Sequence, residues 1–140
     1  MKKNILILSG GISKERLISL DTGNQVAKEL KKNGYKKIMI KKVSGAFEIP
    51  ITISQNIKKF HAFIALGCII KGQTDHYYFI SQAVTNGLMD LSIKFKKPVG
   101  FGVLTCKNLK QAKFRASLSK KNKGREVALG VISILKNKWN

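Results

Sequence analysis

The stretch His61-Ala62-Phe63-Ile64-Ala65-Leu66-Gly67-Cys68-Ile69-Ile70-Lys71-Gly72-Gln73-Thr74-Asp75-His76 decides how the chain is read. Its first seven residues form a short apolar run ending in glycine, which predicts a buried strand over 61–67. Gly72 permits a tight turn, and Thr74 or Asp75 can cap a helix that begins there. That helix is expected over 74–95, with Phe79, Ala83, Val84, Leu88 and Leu91 on one face. A strand feeding a helix through a glycine turn is half of a βαβ unit.

The same grammar repeats on both sides. Residues 4–9 are a continuous apolar run closed by Gly10-Gly11, and a helix follows over about 13–33, with Leu17, Leu20, Ala27 and Leu30 near helical spacing. Residues 38–43 predict a second strand. Pro50 suits the first turn of a helix carrying Ile53, Ile57 and Phe60. Residues 98–104 predict a fourth strand, and helices over about 108–118 and 125–138 end the chain. The order βαβαβαβαα implies right-handed crossovers and a four-stranded parallel sheet covered on both faces, a three-layer α/β/α sandwich in one domain, residues 1–140. Ligands of such sheets bind beyond the carboxyl ends of the strands. The loops at 10–13, 44–48, 68–76 and 105–108 are therefore the places to look for chemistry.

Composition narrows the class. The 140 residues are 44% hydrophobic, enough for a packed core, and the apolar runs are too short for a membrane span or a signal peptide. Two cysteines, Cys68 and Cys106, have no metal spacing and point to a reducing cytoplasm. The net charge of +20 invites a nucleic-acid reading. Yet only Arg16, Arg115 and Arg125 are arginines, and the lysines come as scattered pairs such as Lys31-Lys32 and Lys58-Lys59 rather than as one arm or helix face. Arginine is the preferred reader of base edges and phosphates, so a solvated lysine surface is the favoured reading and no specific nucleic-acid partner is expected.

Three loops carry candidate chemistry. At 72–76, the start of a helix offers an anion site, and His76 lies in its first turn, where it can move protons near neutrality. A surface histidine without a role is the alternative. At 43–50, Glu48 stands at a strand's carboxyl end beside Phe47, where it can accept hydroxyl hydrogen bonds; the alternative is that it only caps the next helix. Arg115 can clamp a phosphate bidentately, with Lys123 and Glu126 near it, or these charges form a surface ion pair of little energetic weight.

The blocks Ser44-Gly45-Ala46-Phe47-Glu48-Ile49-Pro50, Leu66 to Tyr77, Pro98 to Thr105 and Asn122-Lys123-Gly124 resemble, in residue type, order and spacing, the signatures of 6,7-dimethyl-8-ribityllumazine synthases. The likeness runs from about residue 38 to 139. It implies a flavodoxin-like fold and a riboflavin-pathway transferase. Such an enzyme condenses 5-amino-6-(D-ribitylamino)uracil with 3,4-dihydroxy-2-butanone 4-phosphate, giving the lumazine, phosphate and water without metal or organic cofactor. The resemblance makes His76 the general acid/base and assigns the phosphate to Gln73, Thr74, Arg115 and Lys123. It gives the pyrimidine and its ribityl chain to Ile12, Ala46, Phe47, Glu48, Cys68, Ile69 and Ile70. Phe101 would pack on the substrate from a neighbouring subunit. It further implies homopentamers with shared active sites, and the loop at 117–124, free of insertions, resembles that of members that build larger shells. Five copies of a +20 chain would repel one another at low salt.

The opening differs. Residues 1–37 resemble the start of a D-alanine–D-alanine ligase, in which the glutamate matching Glu15 helps hold the first D-alanine. The chain leaves no room for an ATP-binding domain, so ligase activity is not expected, and a ligase-like start joined to a synthase body near 35–37 is the reading. Where the synthases carry an aromatic that stacks on the substrate ring, this chain has Ile12, which packs but does not stack. Pyrimidine affinity should therefore suffer more than affinity for the phosphate substrate. Ile12→Phe should lower the pyrimidine KM, and an unchanged KM would refute the idea. Other readings are a structural relative that assembles but fails to bind the pyrimidine, and a basic nucleic-acid-binding α/β module.

Overall fold

The computed structural model describes residues 3–11, 13–117 and 122–137, and for residues 13–17, 19 and 20 the backbone alone. Ile12 lies outside the described residues. Four strands, β1 (Asn4–Gly10), β2 (Lys37–Val43), β3 (Ala62–Ile70) and β4 (Val99–Cys106), alternate with helices α1 (Ser13–Lys32), α2 (Ile49–Gln55) and α3 (His76–Phe95), and α4 (Leu109–Ala116) and α5 (Lys123–Lys136) follow β4. A single 3-10 turn, Ala46–Glu48, leads into α2. The strands pair in parallel in the order β2-β1-β3-β4. The α/β sandwich expected from the alternation is the one observed.

Burial explains the sheet order. Every residue from Ile5 to Gly10 and from Ala62 to Cys68 is buried, as required of central parallel strands covered on both faces. β2 carries Lys37, Lys41 and Lys42 and lies exposed at the edge. Side chains alternate across the pleat. On one face Ile5, Ile7, Ile64 and Leu66 meet Val26 and Leu30 of α1 and Val127, Ala128 and Val131 of α5. On the other Leu6, Leu8, Phe63 and Ala65 meet Ile49 and Ile53 of α2 and Val84 and Leu88 of α3. Cys68, Leu104 and Cys106 pack on α4 through Ala112 and Ala116. Gly100 lets α5 approach β4 closely, since a Cβ there would lie 2.8 Å from both Val127 Cγ1 and Val131 Cγ2.

Three local expectations are corrected. Residues 68–70 are the last rungs of β3, not loop, because they pair with Leu104, Thr105 and Cys106. The helix at Pro50 stops at Gln55, short of Ile57 and Phe60. There Lys97 donates its ammonium hydrogens to the Ile57 and Phe60 carbonyls, capping the following turns. In α3 the buried face runs through Val84 and Leu88 with Ile80 and Leu91 beside it, whereas Phe79 is 71% exposed. Phe79 precedes Ile80 by one residue, about 100° around the helix, and so points away from the sheet.

Tyr35 is fully buried, and its hydroxyl has no hydrogen-bond partner among the described residues. Burial pushes the phenol above its ordinary value, because the charged form would lose its hydration. The folded state then holds the proton more tightly than the unfolded chain. The resulting stability is present below the ordinary tyrosine value and is lost as pH rises through the folded one. Tyr35→Phe should leave Tm unchanged or raise it at neutral pH, since it removes an unpaired buried polar atom. It should also flatten the fall in Tm above about pH 10. Thermal melts of both proteins across pH check this; a clear loss of Tm at neutral pH would show that the hydroxyl has a partner.

Candidate active site

In the order β2-β1-β3-β4 the chain leaves β1 toward opposite sides of the sheet, so the switch point lies between the carboxyl ends of β1 and β3. A cavity of about 410 Å³ opens there. Gly11 forms one part of its wall, with φ at +142°, a region that favours glycine. Ser44, Gly45, Ala46, Phe47 and Glu48 form a second part, Cys68, Ile69 and Ile70 a third, and Gly72, Thr74, His76, Tyr77 and Ile80 a fourth.

The last rungs of β3 are held in place by its partner. The Lys71 N–H donates to the Cys106 carbonyl at 2.9 Å, so the chain turns into 72–75 from a fixed end. The His76 backbone N–H donates to the Thr74 hydroxyl oxygen at 3.3 Å, while Asp75, in the N-cap position of α3, makes no side-chain cap. Of the two candidate caps it is Thr74 that engages the helix start. His76 itself is exposed at the rim, in the first turn of α3. Gln73 is exposed on the same turn but does not line the cavity.

Glu48 occupies the N-cap position of α2, yet its side chain makes no capping bond. Its Oε2 is buried with no hydrogen-bond partner among the described residues. A buried carboxylate oxygen without a donor is costly unless something supplies one. Helix capping therefore does not account for Glu48, a half-buried residue in the wall of a cavity into which a hydroxyl donor can enter.

The remaining predicted residues lie elsewhere on the chain. Phe101 and Lys123 line a second cavity of about 240 Å³ between β4 and α5. Lys123 Nζ pairs there with Glu126 Oε1 at 3.1 Å. Arg115 lines a third cavity of about 380 Å³ with Asn108 and Phe114. Its guanidinium lies close enough to Cys106 to pull that thiol down, against the larger upward push of burial. One copy of the chain thus collects Ala46, Phe47, Glu48, Cys68, Ile69, Ile70, Thr74 and His76 at one place and presents Phe101, Lys123 and Arg115 at others. Tyr77 and Ile80 were not anticipated as wall residues. The signal for them is helical spacing, because Tyr77, Ile80 and Val84 form one stripe continuing from the cavity into the core.

The family model for 6,7-dimethyl-8-ribityllumazine synthase matches residues 14–138. The chain belongs to the lumazine synthase family. Among similar proteins, the 6,7-dimethyl-8-ribityllumazine synthase of Buchnera aphidicola subsp. Baizongia pistaciae is 42% identical over 118 residues, covering 83% of this chain and 74% of the relative. That of Pseudarthrobacter chlorophenolicus is 39% identical over 116 residues, 81% and 70% of the two chains. That of Leuconostoc mesenteroides is 34% identical over 135 residues, 95% and 86%. The lumazine synthase match begins at residue 14, well before residue 38, and takes in most of the segment that resembled a ligase. These matches lend the ligase likeness no support, and β1 and α1 pack as the first βα unit of the sheet. Among the described residues no helix is long and apolar enough to cross a membrane.

Proposed function

We propose that the chain condenses 5-amino-6-(D-ribitylamino)uracil with 3,4-dihydroxy-2-butanone 4-phosphate, releasing the lumazine, inorganic phosphate and water. The observation that carries this reading is the meeting of His76, Glu48 and the start of α3 around one cavity at the switch point, in a chain of this family.

The roles follow from the chemistry each group offers. The positive end of α3, with Gln73 and Thr74, holds the phosphate. His76, one turn or less from that phosphate, gives and takes protons as the 5-amino group adds to the ketone and water leaves, phosphate is eliminated, and the ribitylamino nitrogen closes the second ring with loss of a second water. Glu48 accepts hydrogen bonds from ribityl hydroxyls, Ala46 and Phe47 pack on the chain and ring, and the ends of β3 at Cys68, Ile69 and Ile70 present backbone groups to the pyrimidine edge. Holding both reactants side by side makes the step effectively unimolecular, a large part of the acceleration.

Arg115, Lys123 and Phe101 serve the site of a neighbouring copy in a homopentamer. Two features support this: their separation from His76 within one chain, and the apolar side chains that α3 exposes, Phe79, Met89 and Ile93 among them. The chain acts as one domain, in the cytoplasm, a reducing compartment that suits two buried cysteines outside any disulfide. Phosphate release tests the assignment. Release should require both substrates and equal the lumazine formed; release from the ketone alone, or none, would overturn it. Steeply salt-dependent retention on DNA without turnover would favour the nucleic-acid module instead.

A further inference from the structure

We propose that Gly10 is a positioning residue for Glu48, acting through the Gly45 carbonyl. This rests on the function proposed above and adds a residue to its machinery. Gly10 ends β1, is buried and abuts the loop that enters the 3-10 turn. A Cβ at Gly10 would lie 2.7 Å from the Gly45 carbonyl oxygen, 2.8 Å from the Gly45 carbonyl carbon and 3.1 Å from Val43 Cγ2. The first two are backbone atoms, which cannot step aside as a side-chain end can.

That same carbonyl holds Glu48. The Glu48 backbone N–H donates to Gly45 O at 3.3 Å, the bond that closes the 3-10 turn. The carboxylate itself also lies beside Gly45, since a Cβ at Gly45 would sit 3.7 Å from Glu48 Oε2 and 3.8 Å from Oε1. Gly45 backbone thus abuts both the end of β1 and the Glu48 carboxylate. Bare glycine at position 10 sets how deep the turn lies, and so where the Glu48 carboxylate stands for a substrate hydroxyl. Any side chain there drives the Gly45 carbonyl away from β1 and moves the acceptor with it.

Steady-state kinetics on wild type, Gly10→Ala, Glu48→Ala and the double variant test the link. Misplacement of a positioning group by a fraction of an ångström to an ångström should raise the pyrimidine KM about tenfold to a hundredfold in Gly10→Ala. Binding of inorganic phosphate, which does not use Glu48, should stay within about twofold, a split that general loosening would not produce. In the Glu48→Ala background, Gly10→Ala should add less than about twofold, because the group it positions is gone. Multiplying effects, or phosphate binding weakened as much as pyrimidine binding, would overturn the proposal. If wild type makes no lumazine, it is the proposed function that fails. The Gly10 link is then read by hydrogen exchange, where the Glu48 amide should be protected in wild type and lose protection in Gly10→Ala. Should Gly10→Ala not fold, exchange on the wild-type chain decides. Protection of the Glu48 amide supports the proposal, and exchange at the rate of an unbonded loop amide overturns it.

Discussion

His76→Ala should slow lumazine formation by about 10²–10⁴-fold without abolishing it, and should leave inorganic phosphate binding close to wild type. The rate loss follows from the position of His76 in the first turn of α3, on the rim of the cavity that also holds Glu48 and the ends of β3. A proton has to leave the attacking amine and another has to reach the departing oxygen, and without the imidazole water must do both. The residual rate reflects approximation of the two substrates, which the cavity still provides. Phosphate binding should be spared because the proposed assignment gives it to backbone groups and the helix start rather than to the imidazole. The kcat of the purified variant and phosphate titration by calorimetry check both halves. A rate loss below about threefold would deny His76 the acid/base role.

Mixing two crippled variants should restore activity. Arg115→Ala should lower kcat/KM for the phosphorylated ketone about ten- to a hundredfold, the weight of a charge-assisted bond of about 1.5–3 kcal/mol. Alone, each of Arg115→Ala and His76→Ala is impaired at every site. In a mixed ring, a site whose His76 comes from one variant and whose arginine comes from the other is intact. Random assembly from equal amounts leaves about a quarter of the sites in that state. Unfolding and reassembling the two variants together should therefore recover about a quarter of wild-type turnover. If the mixture shows only the average of the two separate activities, Arg115 serves its own chain or no shared site exists.

Much of this was legible in the residues alone. The runs at 4–9 and 61–67 are apolar without alternation, the mark of strands covered on both faces, and both proved central. The mixed Lys-Ile pattern of β2 suits the exposed edge it occupies. Strand ends were less legible. Residues 68–70 continue β3 because β4 extends beside them, a pairing no local signal encodes. The face of α3 was misjudged at Phe79 because an apolar residue one position off the buried stripe looks the same in sequence as one on it, and only the neighbouring helix and sheet decide.

The site divided in the same way. His76, Thr74, Glu48 and the 68–70 segment lie where loops at strand ends had to converge, and topology brought them together. What could not be read was the surroundings of the Glu48 carboxylate, which packs beside Gly45 and leaves Oε2 buried without a hydrogen-bond partner among the described residues. Arg115 and Lys123 carry the right chemistry but open onto other cavities of the same chain. The opening segment is ambiguous by motif alone, because a strand, a glycine turn and a helix start alike in unrelated α/β families, and the match from residue 14 onward lends the ligase likeness no support.

The central claim is tested most directly by the fluorescence of the purified chain mixed with 5-amino-6-(D-ribitylamino)uracil and 3,4-dihydroxy-2-butanone 4-phosphate. Lumazine emission should grow faster than the uncatalysed background, in proportion to protein, and only when both substrates are present. A time course indistinguishable from the protein-free mixture would contradict it.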